Sequence, residues 1–390
     1  MVITGVERLL AEPGMLSDAG RLGLLCNEAS VDSRFRPAPE LVHRGFPGRL
    51  VCLFGPQHGI GLTEQDNMIE TSHGTHPNLG IPVYSLYGAA RTPDPAMLDG
   101  VDTVLVDLQD TGTRVYTFAT TVLLLMEVCA GLGKAVVILD RPNPINGVDV
   151  EGNVLDPEFR SFVGPHPIPM RHGLTLGELM SLYNGERGVG CMLRVVPMQG
   201  WNRHWYYEQT GLEWVMPSPN MPLVETAVVY PGQVLLEGTN LSEGRGTTRP
   251  FEIFGAPFLQ PAEVVRAMDA EACAGAVLRE IHFRPTFNKW ADRVCRGFQI
   301  HVTDRSRFRP YRFTLSLLSA VSSLYPNGFR WSDPPYEYVH DKLPIEVILG
   351  DGRIRQDIEE GCLRVNLEAQ WGSALEGYTQ VRSNYLMYHG

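Results

Sequence analysis

The chain has 390 residues, a length that favours two domains and allows a large buried core. Hydrophobic residues make up 44% of it and charged residues 20%, which excludes a disordered or fibrous protein. A formal net charge of −11 argues against a nucleic acid or an anionic membrane as the partner.

Targeting signals and cysteine usage predict a cytoplasmic protein. The first residues, MVITGVERLLAEPGML, lack a basic segment followed by a long apolar run, so we expect no signal peptide. No stretch reaches about 18 uninterrupted apolar residues, so we expect no transmembrane helix. The seven cysteines are odd in number and form no C-x-x-C pair, which disfavours a disulfide framework and a thiolate zinc site.

The first half of the chain alternates short apolar runs with helix-length segments. Strands are predicted at 23–27, 50–54, 83–86, 103–108, 135–139 and 193–198. Several are continuous apolar runs, as expected for strands buried on both faces of a parallel sheet. Helices are predicted at 116–131 and at 174–183, where Thr175 and Glu178 have capping-box spacing. This alternation predicts a Rossmann-like, doubly wound α/β domain over residues 1–205.

The remainder of the chain has a different amino-acid composition. Residues 215–260 are rich in Pro, Gly, Asn and Thr, which predicts loops packed against a site. Helices are then predicted at 262–273 and 311–325, and strands at 281–284 and 298–303. We predict a smaller α+β domain over residues 206–390.

Three of the predicted strands run directly into polar clusters. Because the carboxyl ends of parallel strands meet at one edge of a sheet, these clusters predict a ligand site there. The alternatives are that Asp140 and Arg141 pair with other charges at a domain interface and that Asp110 caps a helix. The clusters contain Gln57 and His58; Asp107, Gln109, Asp110, Arg114 and Tyr116; and Asp140, Arg141 and Asn143.

The motifs that are absent narrow the kind of ligand. The chain has no G-x-G-x-x-G, no G-x-x-x-x-G-K-[ST] and no G-x-S-x-G, so we predict neither a dinucleotide cofactor, a P-loop nor a hydrolase elbow. His73 and His76 form only a weak H-x-x-H pattern, and we predict no metal. Carboxylates, amides, arginine and aromatic rings together suit a polyhydroxylated ligand that is neutral or carries one acidic group.

The second domain contributes further candidates from two segments, 217–222 and 237–247. Asn220 lies in a loop stiffened by prolines, and glycines beside Arg245 and Thr247 allow the backbone to approach a ligand closely. The alternative is a rigid interdomain loop.

Seven collinear motifs resemble the NamZ family of exo-β-N-acetylmuramidases, glycoside hydrolase family 171. They are FGPQHG (54–59), PVYSLYG (82–88), DLQDTGTRVYT (107–117), LDRPNP (139–144), RHGLTLGEL (171–179), PSPNMP (217–222) and EGTNLSEGRGTTRPFEIFGAP (237–257). The resemblance implies a Rossmann-like domain, a smaller C-terminal domain and a site in the cleft between them. It also implies release of terminal N-acetylmuramic acid from the non-reducing ends of peptidoglycan glycans, so the predicted partner is a cell-wall sugar.

This chain departs from the family at one position. Family members usually have G-P-E-H-G where this chain has Gln57, and that glutamate is the family's catalytic candidate. An amide cannot donate a proton, so three possibilities stay open. Another acid serves, with Glu64, Asp66, Glu151 or Glu237 as candidates; the acetamido group of the substrate is the nucleophile; or the chain acts on a different sugar.

The candidate residues follow from these motifs. We assign the acid to Glu64 or Glu237, orienting roles to His58, Gln109 and Asn220, and to Asp110 the role of holding Arg114. Arg114 or Arg245 would bind the lactyl carboxylate of muramic acid. The candidate catalytic residues are Gln57, His58, Glu64, Asp110 and Glu237; the candidate substrate-binding residues are Asp107, Gln109, Arg114, Tyr116, Asp140, Arg141, Asn143, Glu151, His172, Asn220, Asn240, Arg245 and Thr247.

Three functions therefore compete at this point. The first is a glycosidase acting on muramyl or related amino sugars. The second is a sugar-binding or sensor protein on the same scaffold, favoured by Gln57. The third is a metal-dependent hydrolase that uses His58, Asp110 and Asp140.

Overall fold

The computed structural model describes residues 1–65, 68–88, 91–362 and 367–389. The strands are β1 (Leu22–Cys26), β2 (Leu50–Gly55), β3 (Gly74–Thr75), β4 (Pro82–Ser85), β5 (Thr103–Asp107), β6 (Ala135–Leu139), β7 (Glu151–Val154), β8 (Pro169–Arg171), β9 (Met192–Val196), β10 (Ile253–Ala256), β11 (Ala276–Phe283) and β12 (Cys295–Val302). The α-helices are α1 (Gly5–Ala11), α2 (Ala38–Gly45), α3 (Phe118–Gly131), α4 (Leu176–Glu186), α5 (Val224–Gln233), α6 (Pro261–Ala267), α7 (Pro310–Leu324), α8 (Pro344–Leu349), α9 (Arg353–Glu359) and α10 (Leu367–Ser383).

A seven-stranded sheet forms the centre of the first half, in the order β3-β4-β2-β1-β5-β6-β9. All of its neighbouring strands are parallel except β3 and β4. The chain builds outward from β1 first through β2 and β4 and then through β5, β6 and β9. The doubly wound α/β prediction is therefore confirmed.

The sheet is covered on both faces, which explains its continuous apolar strands. Every residue of β1 and β5 is buried. Residues of α1 and α2 belong to a core cluster with Leu24, Leu53 and Leu139, whereas α3 and α4 belong to the larger cluster with Val104 and Ile138. Successive side chains of a strand point to opposite faces, so both faces need apolar residues.

The predicted helices and strands lie where expected, with shifted ends. The capping box of Thr175 and Glu178 is formed and starts α4 at Leu176. Helix α3 begins at Phe118, after a turn in which the Tyr116 amide donates to the Thr113 carbonyl. Helix α6 ends at Ala267, well before the predicted end at residue 273.

The prediction of loops throughout 215–260 was wrong for β10, Ile253–Ala256, and for the longer element α5, a helix that spans Val224–Gln233. Nearly all of its residues are buried, so it has no amphipathic period, and Pro231 inside it reads as a break. The helix packs closely on α7: a Cβ on Gly232 would lie 1.9 Å from the Pro310 carbonyl oxygen. Close packing of this kind requires glycine.

The second half contains a three-stranded antiparallel sheet, in the order β10-β12-β11, with α5, α6 and α7. Helices α8 to α10 follow it. Among the described residues, no helix is both long and apolar enough to cross a membrane.

Candidate active site

A cavity of about 460 Å³ lies at the carboxyl edge of the large sheet. The segment after β2 and the segment before α3 meet residues of the second half there. The cavity is lined by Gln57, His58, Val115, Tyr116, Thr117, Phe118, Val163, Ser218, Asn220, Met221, Tyr230, Glu237, Arg245, Phe251, Tyr336 and Glu337. It therefore contains six of the residues predicted from the sequence: Gln57, His58, Tyr116, Asn220, Glu237 and Arg245.

Glu337 is a buried carboxyl group in this cavity that the sequence analysis missed. It is 3% exposed, and both of its oxygens have hydrogen-bond donors. The Gln57 side-chain amide donates to Oε1 over 3.4 Å, and the Tyr87 hydroxyl donates to Oε2 over 2.9 Å. The Thr117 hydroxyl donates to the Gln57 oxygen over 2.5 Å, so the NH₂ group of the amide faces Glu337.

The surroundings of Glu337 shift the pKa of its carboxyl group upward. Burial raises the pKa of the Glu337 carboxyl, and the negative charge on Glu237 raises it further. The hydrogen bonds from Tyr87 and Gln57 and the charge on Arg91 oppose this effect without cancelling it.

Glu237 has the opposite character, although it lines the same cavity. Burial alone would raise the pKa of its carboxyl, but the Arg245 guanidinium and the Tyr336 hydroxyl outweigh burial and lower that pKa. The Arg245 Nη2 lies 2.6 Å from Oε1, and the Tyr336 hydroxyl donates to Oε2 over 2.6 Å. Glu237 is therefore held as a carboxylate, which does not suit the acid role predicted for it.

His58 presents a neutral imidazole to the cavity. Its Nδ1 lies 2.6 Å from the Glu64 carbonyl oxygen, and a carbonyl only accepts, so Nδ1 carries the proton and Nε2 is an acceptor. Burial lowers the pKa of His58 to about 4. Its backbone is left-handed, with φ of 70°. Glu64 thus takes part through its carbonyl, and its side chain does not line the cavity.

The next carbonyl, that of Gln65, holds two cavity residues. It accepts from the Asn220 side-chain amide over 2.6 Å and from Arg245 Nη1 over 3.1 Å. Asn220 therefore contacts the Gln65 segment of the cavity wall, and its predicted role of orienting a group applies to that segment. Asp66, the next candidate acid, lies outside the described residues.

Tyr116 lies on the apolar side of the cavity. Burial raises the pKa of its hydroxyl, so it remains neutral. Its ring packs edge-on against Tyr230, with the ring centroids 6.1 Å apart. Aromatic faces of this kind suit the apolar face of a sugar ring.

Arg114 does not reach the cavity. Its guanidinium donates to four carbonyls, those of Asn153, Ile168, Ile348 and Leu349. Burial lowers the pKa of Arg114 to about 10. The side chain therefore ties the C-terminal part of the chain to the β7–β8 region, because backbone carbonyls use the donors of its two terminal nitrogens.

The predicted contact between Asp110 and Arg114 is absent. Asp110 Oδ2 instead accepts the Gly112 amide and lies 3.6 Å from His172 Nε2. Asp110 and His172 form a buried pair outside the cavity lining.

Asp107 and Arg141 form a buried ion pair, with 2.5 Å between Arg141 Nε and Asp107 Oδ1. Arg141 and Gln109 line a second cavity of about 390 Å³ rather than the first. The Gln109 amide donates to the carbonyls of Asp110 and Pro142. The ends of β5 and β6 thus converge as predicted, but the charges of Asp107 and Arg141 pair with each other.

The remaining predicted residues have structural partners away from the cavity. Asp140 accepts from Thr175, Gly177 and Tyr388, and burial raises its pKa to about 6. Burial likewise raises the pKa of Glu151 to about 7. Asn143, Asn240 and Thr247 donate to the carbonyls of Leu174, Gly328 and Gly244.

The structure does not bring together the three residues of the metal-dependent hydrolase hypothesis. His58 lies in the cavity, Asp110 beside His172, and Asp140 beneath the start of α4. Across the described part of the chain, no three His, Cys, Asp or Glu side chains group in a way that could hold a metal ion.

Sequence reasoning missed Tyr87, which contacts Glu337, and the cavity residues Thr117, Tyr336 and Glu337. Tyr87 lies in PVYSLYG and Thr117 ends DLQDTGTRVYT, so those motifs were a signal for both. Tyr336 and Glu337 lie in an isolated PPYEY segment far along the chain, with no neighbouring pattern to link it to the sheet edge.

Comparisons with known proteins agree with this architecture. The family described as exo-β-N-acetylmuramidase NamZ matches residues 22–225 with its N-terminal model and residues 228–388 with its C-terminal model. The chain is 39% identical over 387 residues to the peptidoglycan β-N-acetylmuramidase NamZ of Bacillus subtilis, covering 99% of this chain and 91% of that protein.

Two crystal structures of DUF1343 family proteins from Bacteroides fragilis have the same fold. One has a TM-score of 0.87 at 30% identity, covering 99% of both chains. The other has a TM-score of 0.75 at 27% identity, covering 100% of this chain and 99% of that one.

Proposed function

Because the chain belongs to the NamZ family of exo-β-N-acetylmuramidases, we propose that it hydrolyses terminal β-linked N-acetylmuramic acid from peptidoglycan-derived glycans within the 460 Å³ cavity. The reaction is that of a glycosidase, in which water replaces the glycosidic oxygen at C1 of the sugar. A cytoplasmic location and the lack of a nucleic-acid partner stay predictions from the sequence.

The observation that carries the proposal is the chemistry of the cavity wall. A glycosidase must stabilise positive charge that develops on the sugar ring, and the ionised Glu237 supplies a fixed negative charge in this cavity. Asn220 and His58 offer amide and imidazole groups to sugar hydroxyls, while Tyr116 and Tyr230 offer apolar ring surface.

Arg245 acts on the reaction through Glu237. Its guanidinium contacts Glu237, the Gln65 carbonyl and Glu243, the last over 3.3 Å. These contacts favour a role in holding Glu237 ionised over the predicted role of binding the lactyl carboxylate. Removing such a charge would raise the pKa of the carboxylate.

The sugar-binding or sensor alternative is not favoured. Its main support was Gln57, whereas the chain matches a peptidoglycan β-N-acetylmuramidase over 99% of its length. The glutamine at position 57 leaves the carboxyl group of Glu337 beside it in place.

The test is hydrolysis of a chromogenic β-glycoside of N-acetylmuramic acid, with the N-acetylglucosamine glycoside as the matched substrate that lacks the lactyl group. We expect release from the first at a much higher kcat/KM. The variant Glu237→Gln should lose most of this activity while keeping the fold by circular dichroism. No release by the native protein from either glycoside or from a muramyl disaccharide would contradict the proposal.

A further inference from the structure

We propose that Glu337 is the general acid of this glycosidase and that Gln57 and Tyr87 position its carboxyl group. The inference rests on the proposed function and names the proton donor that the sequence left open. Its starting point is the location of Glu337 in the cavity that also holds Glu237.

Among the described residues that line the cavity, the carboxyl groups are those of Glu237 and Glu337. Glu237 has an arginine and a tyrosine hydroxyl as partners, and both stabilise its ionised form. Within the described part of the chain, no cationic side chain donates a hydrogen bond to Glu337, which is 3% exposed. Two carboxyl groups whose pKa values are shifted in opposite directions in one cavity fit the division of labour that glycosidases require.

The hydrogen bonds of Glu337 suit an acid that must give up its proton. Both carboxyl oxygens accept hydrogen bonds, Oε1 from the Gln57 amide and Oε2 from the Tyr87 hydroxyl over 2.9 Å. Both bonds stabilise the carboxylate that forms when the proton leaves. The Met68 amide donates to the Tyr87 oxygen over 3.2 Å, which directs the hydroxyl hydrogen toward Glu337.

A neutral amide at position 57 is part of this arrangement. Its NH₂ group contacts Glu337 without competing for the proton, and the Thr117 hydroxyl holds the amide in that orientation. A carboxyl group in the same place would face Glu337 at hydrogen-bond distance, and the two would share one proton. The residue that counted against catalysis in the sequence therefore supports a donor at position 337.

The chemical step balances with these two groups and one water molecule. The proton on Glu337 moves to the glycosidic oxygen as the C1–O bond breaks, and the electron pair of that bond stays on the oxygen. Water adds its oxygen to C1, and the proton it releases returns to the carboxylate pair. Glu337 is then protonated again and Glu237 is ionised, as at the start.

The charge on Glu337 depends on groups from several elements. The titratable and charged groups that interact with it are Tyr87, Arg91, Tyr230, Glu237 and Tyr336. Burial raises the pKa of each of the three tyrosines, so they stay neutral over the working range. The Arg91 guanidinium lies 3.3 Å from the centroid of the Tyr338 ring and so packs against the residue that follows Glu337.

The experiment compares Glu337→Gln with the native protein on two β-glycosides of N-acetylmuramic acid. One carries a good leaving group such as p-nitrophenol, and the other carries an alkyl alcohol. An acid is needed chiefly for the poor leaving group, so we expect kcat/KM to fall roughly 10²–10⁴-fold for the alkyl glycoside. For the nitrophenyl glycoside we expect a loss below about tenfold, and the alkaline limb of the pH profile should disappear.

The matched control is Glu346→Gln, the same carboxyl-to-amide change on α8. Glu346 pairs with Arg355 outside the cavity lining, so both substrates should be cleaved at the native rate. Glu337→Asp keeps an acid and should retain the alkaline limb at reduced rate, which covers the case in which the amide variant fails to fold.

The outcomes separate this inference from the proposed function. A native protein that cleaves neither glycoside overturns both. An active native protein whose Glu337→Gln variant loses equal activity on both substrates, or keeps its alkaline limb, overturns the role of Glu337 alone. Selective loss on the alkyl glycoside together with loss of the alkaline limb supports it.

Discussion

The side-chain amide of Gln57 donates to the carboxyl group of Glu337 over 3.4 Å, although the two residues are 280 positions apart in the chain. One follows a strand of the large sheet, and the other lies between the second sheet and the C-terminal helices. Because only tertiary structure brings them together, this contact is where the sheet edge and the C-terminal half jointly build the cavity.

Exchanging the two groups provides a first prediction. In the double variant Gln57→Glu, Glu337→Gln the proton donor moves to the other side of the same hydrogen bond. We expect activity on the alkyl glycoside at least about tenfold above that of Glu337→Gln, because an acid returns to the cavity. Equal activity of the single and double variants would show that the position of the acid, and not merely its presence, is essential.

The Tyr87 hydroxyl should set the upper pH limit of activity. Its hydrogen bond stabilises the Glu337 carboxylate and lowers the pKa of Glu337, so Tyr87→Phe should raise that pKa. The alkaline limb of kcat/KM should then move to higher pH, with a rate loss of about tenfold or less. Thermal melts of both proteins serve as the folding control, and a limb that moves to lower pH would contradict the assignment.

Arg245 should set the lower pH limit. Its guanidinium lowers the pKa of Glu237, so Arg245→Gln should raise that pKa and move the acidic limb of kcat/KM to higher pH. We expect a loss of about tenfold or more at neutral pH. Arg245→Lys keeps a positive charge and is the matched control, with a smaller shift in the same direction.

Arg114 should matter for stability and not for substrate affinity. Arg114→Met leaves four buried carbonyls without their donor, and we expect the free energy of unfolding to fall by about 3 kcal/mol or more. Arg194→Met removes an exposed pair with Asp18 and should cost less than about 1 kcal/mol. Urea denaturation measures both, and an unchanged KM in folded Arg114→Met would exclude a substrate contact.

Glu151 makes stability depend on pH. Burial raises its pKa in the folded chain from 4.5 to about 7, so the folded state binds its proton more tightly than the unfolded state does. The contribution to stability is complete below about pH 4.5 and is lost as the pH rises through about 7. Glu151→Gln should be more stable than the native protein at pH 8, by up to about 3 kcal/mol. The difference should be smallest near pH 4, as measured by thermal melts across the range.

Features of the chain that depend on local sequence were predictable. The continuous apolar runs of β5 and β6 identified buried parallel strands, and Thr175 with Glu178 identified the start of α4. Helix α5 was not predictable, because a helix buried on nearly all sides has no polar face to give it a period.

The candidate site was predicted in part for the same reason. Gln57 and His58 follow a strand and Tyr116 precedes a helix, so the topology rule located them. Arg114 has the same sequence context, but its guanidinium donates to four backbone carbonyls and does not line the cavity. No local sequence pattern distinguishes these two outcomes. Glu337 depends on where the C-terminal segment folds back, which is information held in tertiary packing.

Asp140, at the end of β6, joins distant parts of the chain. Its carbonyl accepts the Gly5 amide over 2.9 Å, and its carboxyl accepts the Tyr388 hydroxyl over 2.6 Å. The segment after α10 is thereby fastened to the sheet of the first domain, beside α1 and the start of α4. Separating the C-terminal segment from the large sheet requires breaking this junction, so we expect the two to open in one cooperative step. The amides of β6 and of the last residues before Tyr388 should accordingly exchange their hydrogens through the same global opening.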